Sequence, residues 1–270
     1  MGVKWGGATR WIQLSGISIQ PSEFLKLSVI VFLSSLLSAN KKQVQEFFTG
    51  FIPLVLLSIL LSLPVLLQPD LGTTLTILGT TFLLLFYAGA QVWHLNFLFF
   101  SGGITVAIIS YFSSYRLRRL TAFINPWADP LGSGYQIIQS KIAVSSGHLI
   151  GLGLGNSKQK FLYLPQQYSD FIFAIVCEEL GLIGTALFLV VLVAFLARGV
   201  VVLQRIKDDY ARLLGIGIVS LFALQAFLNI AVVLGLVPTT GLPLPFISYG
   251  GSSIVVNLFA AGIVANISKK

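Results

Sequence analysis

A chain of 270 residues that is 56% hydrophobic and only 10% charged cannot cover itself with a hydrated surface, since soluble domains carry about 25% charged residues. Its mean hydropathy of +0.90 and its 26 glycines fit helices packed closely in lipid and exclude the soluble and disordered classes. The formal charge of +8 is read as meeting a membrane or an anionic substrate, not nucleic acid.

In chain order, seven apolar stretches stand out: Ser22–Ala39, Gly50–Leu67, Leu71–Ala88, Trp93–Phe112, Phe171–Ala197, Leu213–Leu236 and Pro245–Ile267. Each is long enough for a membrane helix. Continuous apolarity, without the alternation of an outer-membrane strand, excludes a porin-like barrel. Before the first stretch, Met1–Gln20 is polar and aromatic and lacks the apolar core of a cleavable signal. Between the fourth and fifth, Ser113–Asp170 is mixed in polarity and rich in turn residues. Its clusters Tyr135–Ile138 and Phe161–Leu164 predict an ordered segment that hugs the interface. Pro243, Pro245 and Gly250-Gly251 predict a broken helix or re-entrant turn, tolerated only beside a protein-lined cavity. The expected fold is an all-α integral membrane protein, a polytopic bundle of seven transmembrane helices forming one domain over residues 1–270. Residues 113–170 form its large extracytoplasmic loop.

Lys and Arg in the short loops set the orientation. Lys41 and Lys42 follow the first span, Arg198, Arg205, Lys207 and Arg212 follow the fifth, and Lys269 and Lys270 follow the seventh. With seven spans these ends share the cytoplasmic side, so the C-terminus is cytoplasmic. The opposite side is also basic, with Lys4, Arg10, Lys26, Arg116, Arg118, Arg119, Lys141, Lys158 and Lys160 against Glu23, Asp70, Asp129 and Asp170. Such a surface meets anionic lipid headgroups or concentrates an anionic substrate; a phosphate-bearing lipid satisfies both.

Several side chains support two readings each. Glu23 and Lys26 share a helix face and form either an ion pair at the helix mouth or, with Arg10, the lining of a cavity. Asp70 follows a proline and is either a helix cap or a polar cavity group. Arg116, Arg118 and Arg119 snorkel to headgroups or meet substrate, as do Lys158 and Lys160. Glu178 and Glu179 lie about 12 Å beyond Asp170 along a helix. Ionisable groups inside a span are functional by default, the alternative being a structural hydrogen bond. Cys177 has no partner for a disulfide. His94 and His148 lie in no metal-ligand spacing. Gly151, Gly153 and Gly155 lack the following Lys-Ser/Thr of a phosphate loop.

The loops then become specific. They hold Arg10-Trp11, Gln20-Pro21-Ser22-Glu23 with Lys26, Gln68-Pro69-Asp70-Leu71-Gly72, Asn125-Pro126-Trp127 and Asp129-Pro130-Leu131-Gly132-Ser133-Gly134. Further on stand Gly153-Leu154-Gly155-Asn156-Ser157, Tyr163-Leu164-Pro165, Asp170-Phe171-Ile172-Phe173-Ala174, Glu178-Glu179-Leu180-Gly181 and Leu244-Pro245-Phe246-Ile247-Ser248-Tyr249-Gly250-Gly251-Ser252-Ser253. Together these motifs resemble the SEDS family (shape, elongation, division and sporulation; FtsW/RodA type) over nearly the whole chain. The Asn-Pro-Trp and Gly-Leu-Gly-Asn-Ser forms look closer to the division branch, FtsW, than to the elongation branch, RodA. The family has ten helices, so by this resemblance the chain begins before the family's fourth and lacks the first three.

The resemblance implies a peptidoglycan glycosyltransferase that polymerises lipid II into septal glycan strands by processive inverting transfer, with undecaprenyl pyrophosphate leaving. Asp170 falls on the family's catalytic Asp and would act as general base. Arg10, Glu23, Lys26, Asp70, Lys158, Lys160, Glu178 and Ser248 would bind substrate. A divalent cation such as Mg²⁺ or Mn²⁺ could assist, although no ligand set is defined. The implied partners are lipid II, a class B penicillin-binding transpeptidase and other division proteins. A lipid II flippase or a non-catalytic membrane scaffold are the alternative functions.

Overall fold

A computed structural model describes residues 2–5, 8–14, 17–39, 41, 43–68, 70–160, 164–165 and 167–269. Of the residues singled out above, Met1, Lys42, Pro69, Phe161, Tyr163 and Lys270 lie outside the described residues.

The chain opens with an antiparallel sheet of β1 (Gly2–Trp5), β2 (Ala8–Leu14) and β3 (Ile17–Ile19), which the all-helical expectation did not contain. Gly2 pairs with Ile12 and Ile12 with Ile19 across the central strand. Helices follow: α1 (Pro21–Ala39), a π-turn at Phe47–Phe51 running into α2 (Ile52–Leu67), α3 (Leu71–Tyr87), α4 (Val92–Tyr111), α5 (Ser114–Ile124), α6 (Tyr135–Ser146), α7 (Ile172–Leu203), α8 (Asp209–Val233) and α9 (Gly251–Ile267). Among the described residues, five segments are long and apolar enough to cross a membrane, namely α1, Phe47–Leu67, α4, α7 and α8; α3 and α9 are shorter apolar helices. All of them fall on the apolar stretches of the sequence. The expected ordered loop is built on α5 and α6. The last stretch turns helical only at Gly251; before it Phe246 is left-handed at φ 66°, a conformation that no right-handed helix accommodates.

The chain divides into two compact units. One holds residues 1–101, 196–224 and 250–270, the other 102–195 and 225–249, and α4, α7 and α8 run from one to the other. In the first unit, Leu27, Ile30 and Leu33 of α1 share a core with Ile77 and Leu84 of α3 and Ile218 of α8. The threonines of α3 stay compatible with this interior by bonding back one turn: Thr74 donates to Asp70 O at 2.8 Å and Thr80 to Thr76 O at 2.8 Å. A hydroxyl surrounded by apolar groups must find an acceptor. Lys41 pairs with Asp209, which also pairs with Arg212, so the loop after α1 meets the start of α8. In the second unit, Phe171, Phe173 and Ile175 pack with Ala143 of α6, Val232 and Val233 of α8, and Leu244.

Within that second unit α7 is broken. Gly181 has φ 66° and ψ −171°, and the break frees backbone groups that lipid cannot satisfy. The segment after α6 satisfies them. Leu152 N donates to Glu178 O at 3.0 Å and Gly153 N to Glu179 O at 3.1 Å, while Leu182 N donates to His148 O at 2.9 Å and Ile183 N to Leu149 O at 3.1 Å. Glycine is needed for this approach: a Cβ on Gly181 would stand 2.2 Å from Gly151 N, and one on Gly151 2.2 Å from Glu179 O. Gly151 therefore serves a backbone-to-backbone contact, while a Cβ on Gly155 would meet nothing within 4 Å. Gly181→Ala is expected to destabilise the protein by more than the roughly 1–3 kcal/mol of backbone strain alone, read as a lowered Tm of the purified protein. Gly262→Ala is the control, since its Cβ meets nothing within 4 Å. An unchanged Tm for Gly181→Ala would contradict this packing.

Candidate active site

Asp170 closes the turn of residues 167–171 that leads into α7 and is half-buried. The turn is clasped at several points. Ahead of it, Tyr168 O accepts from Tyr249 N at 2.7 Å and Ser169 O accepts from the Ser248 hydroxyl. Ser248 Oγ in turn accepts from Leu244 N at 2.7 Å. Asp170 O accepts from Asn229 Nδ2 of α8 at 2.7 Å, and the same amide donates to Leu242 O at 2.7 Å. Gly241 lies in the left-handed region (φ 75°) and bares its backbone toward the carboxylate; a Cβ there would stand 3.5 Å from Asp170 Oδ2. Phe246 is also left-handed, at φ 66°, a conformation costly for a bulky residue and held only where the surroundings over-determine it. Arg119 lies over the Tyr115 ring at 4.6 Å and donates to Thr239 O at 2.8 Å, bracing the start of the same segment. It does more than snorkel.

Glu178 belongs to a different set. Its buried carboxylate accepts from the Ser157 hydroxyl, from Lys158 N at 3.1 Å and from Gln159 N at 3.3 Å. Lys160 reaches Glu179 Oε1 at 3.3 Å, and the Lys158 side chain is exposed. Glu178 thus anchors the Gly-Leu-Gly-Asn-Ser loop to α7, by the structural hydrogen bonds that were the alternative to a cavity-facing role. Asp129 shapes another loop. The Ser133 N–H and then its hydroxyl hold the Asp129 carboxyl below the ordinary range. The stabilisation is present at neutral pH and is lost only as pH falls through that lowered value.

The first unit carries the remaining predicted residues. Arg10 Nε donates to Gln68 O at 3.1 Å, and its guanidinium lies 3.7 Å from Asp70 Oδ2. Asp70 caps α3 by accepting from Thr73 N at 3.1 Å, so the cap and the polar contact are both present. Lys26 Nζ and Glu23 Oε1 are 2.8 Å apart, with side chains 1% and 3% exposed. Glu23 Oε2 has no partner among the described residues. No group of three or more His, Cys, Asp or Glu side chains converges among the described residues, so no protein cage for Mg²⁺ or Mn²⁺ is formed there.

Asn229 and Gly241 were not singled out by the sequence reading. An amide in the middle of an apolar run, as at Asn229, is the signal that could have found the first. Nothing in the sequence distinguishes Gly241 from the other glycines.

The FtsW/RodA/SpoVE cell cycle protein model matches residues 1–270. The stage V sporulation protein E of Bacillus subtilis (strain 168) is 45% identical over all of this chain and 74% of its own length. A probable peptidoglycan glycosyltransferase FtsW of Geobacter metallireducens is 45% identical over 98% of this chain and 70% of its own. Sporulation and division names therefore stand at equal identity. Among solved structures, a peptidoglycan synthase complex that coordinates polymerization and crosslinking superposes with a TM-score of 0.79 at 30% identity, covering 99% of this chain and 75% of that one. The crystal structure of the Thermus thermophilus rod shape determining protein RodA gives 0.66 at 26% identity, over 99% and 71%. With its clasped aspartate turn, its apolar helices and a family match over its whole length, this chain belongs to the FtsW/RodA/SpoVE family of membrane proteins.

Proposed function

We propose that the chain is a peptidoglycan glycosyltransferase that polymerises lipid II, working on the extracytoplasmic face of the bacterial plasma membrane in septal wall synthesis. The observation that carries this reading is the Asp170 turn. A carboxylate at the mouth of a membrane helix, with its backbone pinned from α8, is suited to a reaction that needs one well-placed base. In the step, a sugar hydroxyl attacks the anomeric carbon of a lipid-linked disaccharide. The new C–O bond forms as the bond to pyrophosphate breaks, the hydroxyl proton passes to Asp170, and undecaprenyl pyrophosphate leaves with the electron pair. Cations near the leaving group would stabilise that charge. Arg10, Lys158 and Lys160 keep exposed or half-exposed charge suited to this role. Lys26, sealed against Glu23, is better suited to holding α1. Ser248 serves through the Asp170 turn. A class B penicillin-binding transpeptidase that crosslinks the strand is the proposed partner. No step is assigned to a divalent cation.

Labelled lipid II with the purified protein in vesicles tests the reading. Glycan polymer is the expected product. Lipid moved across the bilayer without polymer would favour a flippase, and neither outcome a scaffold.

The orientation is supported by the Lys41–Asp209 pair, which joins two loops proposed as cytoplasmic, and by the Arg10–Gln68 bond between two segments proposed to lie outside. Single cysteines at Gln43 and Asp208, in a background without Cys177, are expected to resist an impermeant thiol reagent in intact cells, and one at Leu131 to react. Labelling of Asp208 and Leu131 from the same side would overturn the seven-span arrangement.

A further inference from the structure

We infer that Asn229 is a positioning residue of the transfer reaction, an amide clamp that sets where the Asp170 carboxylate stands; this rests on the assignment of Asp170 as the base. Asn229 lies within α8 and is 1% exposed. Its Nδ2 donates one N–H to Asp170 O and the other to Leu242 O, each at 2.7 Å. Both neighbours are carbonyl oxygens, which can only accept, so the orientation of the amide is fixed by its surroundings. Its Oδ1 is buried and has no partner among the described residues. The side chain is therefore kept for its two donors.

Those donors join two chain segments distant in sequence. One is the turn that ends at Asp170. The other holds Gly241, whose missing Cβ leaves room beside Asp170 Oδ2, and is braced independently by Arg119 at Thr239 O. Fixing the carbonyl of residue 170 fixes ψ at that residue, and with it the direction of α7 beneath the carboxylate. Fixing Leu242 holds the wall on the carboxylate's other side. A base that drifts by about 1 Å can lose roughly 10² in rate without changing how substrate binds. An amide buried in an apolar helix is costly to keep, and here its two hydrogen bonds both serve this turn.

One turn earlier on α8, Gln225 provides the comparison. It is fully buried, and neither its Oε1 nor its Nε2 has a partner among the described residues. Replacing it removes a buried amide and breaks none of the hydrogen bonds that hold the Asp170 turn.

The test is steady-state polymerisation of lipid II by the purified full-length protein, comparing Asn229→Leu, Gln225→Leu and Asp170→Asn. Asn229→Leu is expected to lower kcat about tenfold to a hundredfold with KM within about twofold, and Gln225→Leu to keep the parental kcat. A merely structural loss would instead lower the Tm and the yield of folded protein without changing kcat of what remains. Should Asn229→Leu not accumulate, Asn229→Asp is read in its place. It keeps the shape but sets a carboxylate against two carbonyl oxygens, and the same loss of kcat is expected. A parental kcat in the Asn229 variant beside an inactive Asp170→Asn overturns the clamp and leaves the base standing. A parental rate in Asp170→Asn removes the base assignment itself.

Discussion

Replacing Asp170 with Asn is expected to abolish glycan polymerisation, by at least the roughly 10²–10⁴-fold that a positioned base contributes. The amide keeps the shape of the side chain, and the turn is held through backbone atoms and through Asn229, so the fold loses little. Membrane insertion and protein level should stay near parental. Asp170→Glu is the informative companion. Its extra methylene displaces the carboxylate from where the turn holds it, and misplacement alone can cost about 10² in rate. If Asp170→Asn polymerises at the parental rate, Asp170 is a helix-end acid favoured by the macrodipole, and the base lies elsewhere.

The second large effect is expected at the Glu23–Lys26 pair. Both groups are almost fully buried and 2.8 Å apart. Removing one partner of a buried pair typically costs about 3–5 kcal/mol, because the other charge is left uncompensated. Glu23 already has one oxygen without a partner among the described residues, so Lys26→Met leaves it worse off. Lys26→Met is therefore expected to lower the Tm and the membrane level sharply, and the Glu23→Gln/Lys26→Met double variant to regain most of both. Equal losses in the single and double variants would mean that the lysine stabilises by packing and not by its charge.

These two sites differ in how readable they are from sequence. The spans were legible because lipid demands continuous apolarity, and the helix starts at Pro21 and Leu71 lie within a residue of the expected ones. The sheet over the first residues was not read, although Gly6-Gly7 and Ser15-Gly16 between its strands are hairpin cues in the sequence. The break in α7 escaped because Gly181 sits inside a long, largely apolar stretch with no proline to mark it. Only the distant glycines at 147–153 make the break affordable, and that contact is tertiary. The same reason hid the Asn229 clamp. Asp170 was singled out through its motif and Asp70, with its local cap from Thr73, through its place after Pro69; Asn229, Gly241 and Arg10 reach them from other segments. Glu178 stood out as a carboxylate inside a span; its Ser157, Lys158 and Gln159 hydrogen bonds could be known only once the loop was folded over it.

We propose that this chain makes glycosidic bonds by releasing polyprenyl pyrophosphate with Asp170 as base. The most direct measurement counts both products in one reaction: pyrophosphorylated lipid released and disaccharide linkages formed, by purified full-length protein given lipid II alone. The account predicts one lipid released per linkage by the parental protein, and neither product above background for Asp170→Asn. Release without linkage, or linkages formed equally by the Asn variant, would contradict it.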